Sequence, residues 1–107
     1  MNVLVTGGSG QLGRSIMDVA EYSVHRFIYT YMCSQSHEGM VHLDITDPEE
    51  VNQAMDDYGI DVIVNCAGYT DVERAESEED KVFKVNAEAV DVLAGAARAR
   101  GALLIHI

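Results

Sequence analysis

The chain's 107 residues predict an α/β fold, a doubly wound parallel sheet of about five strands in the order 3-2-1-4-5 with helices on both faces. Three observations carry this. Short apolar, β-branched runs alternate with stretches of helical period. The apolar runs are nearly continuous, as in strands buried on both faces, where a one-sided strand would alternate. A tight glycine-rich turn follows the first run directly and opens into the first helical stripe.

Each element has its own local reason. Met1–Thr6 is a β-branched run ending at glycines, the first strand. After the turn Gly7-Gly8-Ser9-Gly10 the period changes, and Leu12, Ile16, Val19 and Ala20 share one helical face. Val24–Met32 is rich in strand formers, Cys33–Gly39 is polar and loop-like, and Met40–Leu43 is a short strand. Asp47 is placed to cap a helix, Pro48 suits its first position, and Glu50 is expected to complete a capping box. Val51, Ala54, Met55 and Tyr58 follow at helical spacing up to Gly59, and Asp61–Asn65 is the next strand. Cys66–Glu76 is a longer connection, with Ser77 and Asp80 marking a second capped start. Val82, Val85, Ala89, Leu93 and Ala96 form a long stripe that stops near Gly101, and Ala102–Ile107 is a last strand. No internal repeat or interdomain linker interrupts this order.

Composition narrows the function. Lys plus Arg number 7 against 18 Asp plus Glu, a formal charge of −11. Such a surface repels phosphate backbones, so general nucleic-acid binding is not expected. One small anion can still be held by backbone amides. No run approaches the roughly 20 apolar residues that span a bilayer, so no membrane partner is expected. No basic region precedes the first short apolar run, so no signal peptide is expected. Cys33 and Cys66 make neither a disulfide framework nor a metal set, and His37 and His42 have no third ligand nearby in sequence, so a reduced, cytoplasmic compartment and no metal are expected.

The chemistry-bearing motif is Thr6-Gly7-x-x-Gly10-x-x-Gly13, between the first strand and the first helix. Gly7 permits the tight turn, Gly10 lets the backbone approach a pyrophosphate, and Gly13 lets helix and strand pack closely. The ligand's negative charge would meet the free amides of the helix N-terminus. Between a strand and a helix this pattern favours a Rossmann-type dinucleotide site over a plain glycine-rich βα turn with no ligand. Such sites for NAD usually have a carboxylate at the end of the second strand. Here that end reads Tyr29-Thr30-Tyr31-Met32-Cys33, without one, while Arg14 is either a solvated helix residue or a partner for a 2′-phosphate. NAD and NADP stay open.

The loop Thr6-Gly7-Gly8-Ser9-Gly10-Gln11-Leu12-Gly13 resembles that of the extended short-chain dehydrogenases/reductases. Leu43-Asp44-Ile45-Thr46-Asp47-Pro48, Asp61-Val62-Ile63-Val64-Asn65-Cys66-Ala67, Thr70–Ser77 and Val85-Asn86-Ala87 narrow the resemblance to the dTDP-4-dehydrorhamnose reductases of dTDP-L-rhamnose synthesis. It covers the whole chain but only about the N-terminal third of such a reductase. The resemblance implies that the backbones of Gly10, Gln11 and Leu12 lie along the pyrophosphate. It implies that Asp44 accepts from the adenine amino group and that Ile45 packs on that ring. Ala67, Gly68 and Tyr69 would line the nicotinamide-side ribose, with Asn86 fixing the same end. The family often carries an acidic residue where Tyr31 or its neighbour stands.

In these reductases a Ser-Thr-Asp-Tyr-like stretch follows the fifth strand and a Tyr-x-x-x-Lys pair comes later. The tyrosine is the acid that protonates the carbonyl oxygen as hydride arrives. No tyrosine here is followed four residues on by lysine, so no catalytic residue is assigned and the 107 residues alone are expected to be inactive. The expectation is therefore an incomplete NAD(P)-binding Rossmann domain over 1–107, a truncated product without the substrate-binding part. The alternative is a non-catalytic dinucleotide-binding or regulatory module of the same fold. The last strand would then offer an apolar edge, so self-association through it or the adjacent helix is expected.

Overall fold

The computed structural model describes residues 1–32, 35–67 and 79–107, for 79–85 the backbone alone. The elements run β1 (Asn2–Thr6), α1 (Gln11–Ala20), β2 (Arg26–Tyr31), β3 (Val41–His42), α2 (Pro48–Tyr58), β4 (Val62–Asn65), α3 (Glu79–Arg100) and β5 (Leu103–His106). One sheet has the order β3-β2-β1-β4-β5 with every pair parallel, as expected. Register is continuous across the middle: Leu4 stands opposite Ile28 and Ile63, and Ile63 opposite Leu104.

Those four residues share one face of the sheet, because side chains alternate along a strand. Against them pack Val51, Ala54 and Met55 of α2 and Ala89, Leu93, Ala96 and Ala97 of α3. Leu4, Ile63, Val51 and Leu93 are each fully buried. The small alanines of α3 let the helix lie close to the sheet. Right-handed crossovers put α2 and α3 on this face and α1 on the other, since the strand order reverses between β3 and β4.

Asp47 caps α2 as its sequence predicts, its Oδ1 accepting from the backbone N–H of Glu49 at 3.0 Å and of Glu50 at 3.4 Å. The reciprocal half of the expected capping box is not made. The Glu50 carboxylate reaches further back and accepts from the Asp44 N–H at 3.3 Å, while the Asp47 N–H donates to the Asp44 carbonyl. Gly59 ends the helix in a left-handed conformation, and the Asn2 carboxamide donates to the freed carbonyls of Tyr58 and Gly59. At the far end of the same helix pair, Arg100 of α3 forks onto Asp56 at 2.8 and 3.1 Å and onto the Asn52 side chain at 2.6 Å.

The other sheet face departs from the expectation of two covered faces. Val3 and Val5 are buried, but among the described residues Leu103 is 59% and Ile105 44% exposed. The predicted apolar face of α1 is likewise uncovered in part: Leu12 and Val19 are exposed, and only Gly13 of this helix is buried. On this face Ile16 and Ala20 of α1 line one cleft with Phe27 of β2, and among the described residues no helix lies over Leu103 and Ile105. The second strand also starts later than Val24, which is almost fully exposed.

Candidate functional site

The carboxyl ends of β1 and β4 meet where the strand order reverses, the place at which open α/β sheets leave a ligand crevice. The glycine loop forms one wall. Gly7 adopts φ +68°, a left-handed conformation, and a Cβ there would sit 2.6 Å from the Ala67 nitrogen. Gly13 has no such backbone strain, but a Cβ on it would lie 2.5 Å from the Gly7 carbonyl oxygen and 2.6 Å from the Gly8 Cα. The two glycines are therefore demanded by the protein's own packing: Gly7 against the exit of β4, Gly13 against the loop itself. Gly10 differs. It is exposed, and a Cβ on it would meet only the Gly7 carbonyl oxygen at an ordinary 3.4 Å. Nothing in the fold requires a glycine there, so the open space above it is a cradle that a side chain would fill.

That space adjoins an uncapped helix start. Gly10 is the N-cap of α1 and offers no side chain, and the first turn holds no acidic residue. The first helical hydrogen bond runs from the Arg14 N–H to the Gly10 carbonyl at 3.0 Å. The backbone N–H groups of Gln11, Leu12 and Gly13 lie before it and are left for solvent or an anion. α2 shows the contrast: there Asp47, Glu49 and Glu50 supply the negative charge internally.

The loop is braced. The Gly8 N–H donates to the Thr30 carbonyl at 2.8 Å and the Gly10 N–H to the Gly7 carbonyl at 3.1 Å. Gly8 is thus a packing position as well, since a Cβ on it would be 2.9 Å from the Tyr29 Cβ. Sequence spacing points only to Gly7, Gly10 and Gly13. Arg14 donates from Nε to the Ser9 carbonyl at 3.0 Å, so its guanidinium is held over the loop.

The remaining sites predicted from sequence fall in three groups. Asp44 and Ala67 stand at the carboxyl edge of the sheet. Asp44 Oδ1 accepts from the Thr46 N–H at 3.0 Å and hydroxyl at 2.6 Å, which fixes the carboxylate's rotamer. Ile45 is 6% exposed and belongs to the core, so the side chain expected to be an adenine platform is largely occupied in packing. Asn86 lies exposed on α3. Gly68, Tyr69 and the Thr70–Ser77 motif lie outside the described residues. At the end of β2, Tyr31 is flanked by the rings of His37 and His42, each edge-on at 5.2 and 5.3 Å. No group that could hold a metal occurs among the described residues. Burial pushes the Cys66 thiol up, away from a reactive thiolate, which agrees with a packing role.

One set of polar groups is not apparent from sequence. Thr6, Asn65 and His106 are register partners at the last position of β1, β4 and β5. Thr6 and Asn65 are buried at 0% and 2% exposure and hydrogen-bonded to each other. The one signal for them in the sequence is that apolar strands end in polar residues.

A reversing parallel sheet with an open glycine loop at its crevice defines a Rossmann-type α/β unit of the nucleotide-binding kind. Known proteins make this more particular. The family model described as the RmlD substrate binding domain matches residues 1–107, and the chain belongs to that family. It is 38% identical over 104 residues to the dTDP-4-dehydrorhamnose reductase of Streptomyces griseus, covering 97% of this chain and 32% of that protein. The crystal structure of a dTDP-4-dehydrorhamnose reductase from Clostridium acetobutylicum superposes with a TM-score of 0.80 at 34% identity, over 97% of this chain and 34% of that one. A UDP-glucose-4-epimerase from Stenotrophomonas maltophila, solved with bound NAD, shares the fold at a TM-score of 0.87 and 24% identity, over 99% of this chain and 36% of that one. The chain spans about a third of the length of the curated relatives it matches. No helix among the described residues is long and apolar enough to cross a membrane.

Proposed function

We propose that this chain is the dinucleotide-binding part of an NAD(P)-dependent sugar-nucleotide reductase of the dTDP-4-dehydrorhamnose reductase type. The observation that carries this is the division of labour among the loop glycines. Gly7, Gly8 and Gly13 are needed by the fold, while Gly10 is open and borders the free amides of α1. A pyrophosphate crossing Gly10 would accept from the N–H groups of Gln11 and Leu12. Asp44, with Oδ1 held by Thr46, would offer its other oxygen to the adenine amino group. Ala67, Gly68, Tyr69 and Asn86 would form the nicotinamide end. When bound, the nicotinamide supplies the hydride; these residues bind and orient it.

The end of β2 has Tyr31 between two imidazoles where NAD sites usually place a carboxylate, and Arg14 lies over the loop. Both features suit a phosphorylated ribose at least as well as a free one. Calorimetric titration with NADH and with NADPH is the test. The expected result is weak, saturable binding of at least one, competed by pyrophosphate. Heat-silent titrations with both, confirmed by unchanged melting temperatures, would remove the reading.

A further inference from the structure

The buried Asn65 carboxamide has its orientation dictated by its neighbours. Its Oδ1 atom faces the Ala67 backbone nitrogen at 3.2 Å. A backbone N–H can only donate, so the atom facing it is the carbonyl oxygen and the carboxamide admits no flipped alternative. The Thr6 hydroxyl approaches the same oxygen at 2.5 Å and therefore donates to it. The other end of the carboxamide is then an NH₂, which can only donate, and it lies 2.9 Å from His106 Nδ1. Nδ1 must accept. The proton of the neutral imidazole sits on Nε2.

We infer that Asn65 is a positioning residue of the crevice: it clasps Thr6 and Ala67 on either side of the loop contact and sets His106 as a fixed Nε2–H donor at the carboxyl edge of β5. The clasp matters because Thr6 leads directly into Gly7, and Gly7 sits so close to Ala67 that it has no room for a side chain. One oxygen holding both partners keeps the glycine loop and the β4 exit at that separation. His106 is exposed, and Nε2 has no hydrogen-bond partner among the described residues, so its N–H is open to a ligand oxygen at the carboxyl edge of the sheet. The tautomer follows from this chain's own geometry. The ligand role rests on the dinucleotide reading above.

The test separates the two. In ¹⁵N-labelled protein, long-range ¹H–¹⁵N correlation of the imidazoles at alkaline pH should show His106 with Nδ1 unprotonated and Nε2 protonated. Asn65→Asp keeps the acceptor for Thr6 and Ala67 but presents an oxygen to the ring, and should move the proton to Nδ1. His106→Ala, a surface change, should leave the fold intact and speed solvent exchange of the Asn65 NH₂ protons. NADPH should shift the His106 Nε2–H resonance, and Asn65→Leu should weaken NADPH binding about tenfold, the scale of one lost hydrogen bond to the crevice wall. A wild-type proton on Nδ1, or an Asn65 NH₂ indifferent to His106→Ala, overturns the inference even if NADPH binds. A correct tautomer with no NADPH response overturns only the ligand role.

Discussion

Replacing Gly13 and Gly10 one at a time should separate folding from binding. In Gly13→Ala the new methyl would start 2.5 Å from the Gly7 oxygen, so loop and helix must part by about 0.9 Å to reach ordinary contact. Helix propensity alone favours alanine over glycine by about 1 kcal/mol. Overpacking of a tight contact costs about 1–3 kcal/mol, and here the atoms in the way are backbone, which yields little. With backbone atoms in the way the upper part of that range applies, about 2–3 kcal/mol, and less the propensity gain this leaves a loss of about 1–2 kcal/mol. For a domain of this size each kcal/mol lowers Tm by roughly 4–8 °C. Gly10→Val meets nothing closer than 3.4 Å at its Cβ and should stay within about 1 kcal/mol of wild type, the cost of a poorer N-cap. Its isopropyl group would occupy the space above the α1 amides, and dinucleotide binding should be lost. Calorimetric melting reads the first effect and ligand titration the second. A Gly13→Ala protein as stable as wild type would refute the packing argument. Unchanged affinity in Gly10→Val would take the loop out of the binding site.

Two further outcomes are expected. The Arg100 guanidinium beside Asp56 holds that carboxyl below its ordinary value of 3.8. Its contribution to stability is therefore present above that pH and fades as the pH falls through the lowered value. The carboxylate is well exposed, so the effect is small, and melting curves in acid should show Asp56→Asn losing part of the wild-type pH dependence; identical curves would show that the pair contributes nothing. The uncovered apolar residues of β5 should also drive concentration-dependent association of this 107-residue chain, relieved in Ile105→Lys. Light scattering that shows a monomer at every concentration would contradict it.

Short-range chemistry makes much of this molecule legible in its sequence. β-branched runs, the Asp47-Pro48 start, the Gly59 stop and the alanine-rich stripe of α3 each act over a few residues, and alternation of periods implies parallel strands and their order. The glycine loop is legible in part for the same reason: the left-handed turn at Gly7 and the contact of Gly13 with Gly7 and Gly8 act over a few residues, whereas the approach of Gly7 to Ala67 and of Gly8 to Tyr29 does not. What the sequence does not carry is partner choice at long range. That Glu50 turns to Asp44 in place of Asp47 depends on the path of the β3–α2 connection. That Arg100 closes on Asp56 and Asn52, 44 and 48 residues away, depends on how two helices pack. The stripe of α1 has the pattern of a buried face, yet burial needs a second surface, and the described residues supply none along Val19. Thr6, Asn65 and His106 are three ordinary polar residues until parallel register brings them into line across 59 and 41 positions of sequence. Only then does a backbone N–H fix one carboxamide, and that carboxamide fix one proton, because hydrogen-bond direction is settled by neighbours that only the tertiary fold assembles.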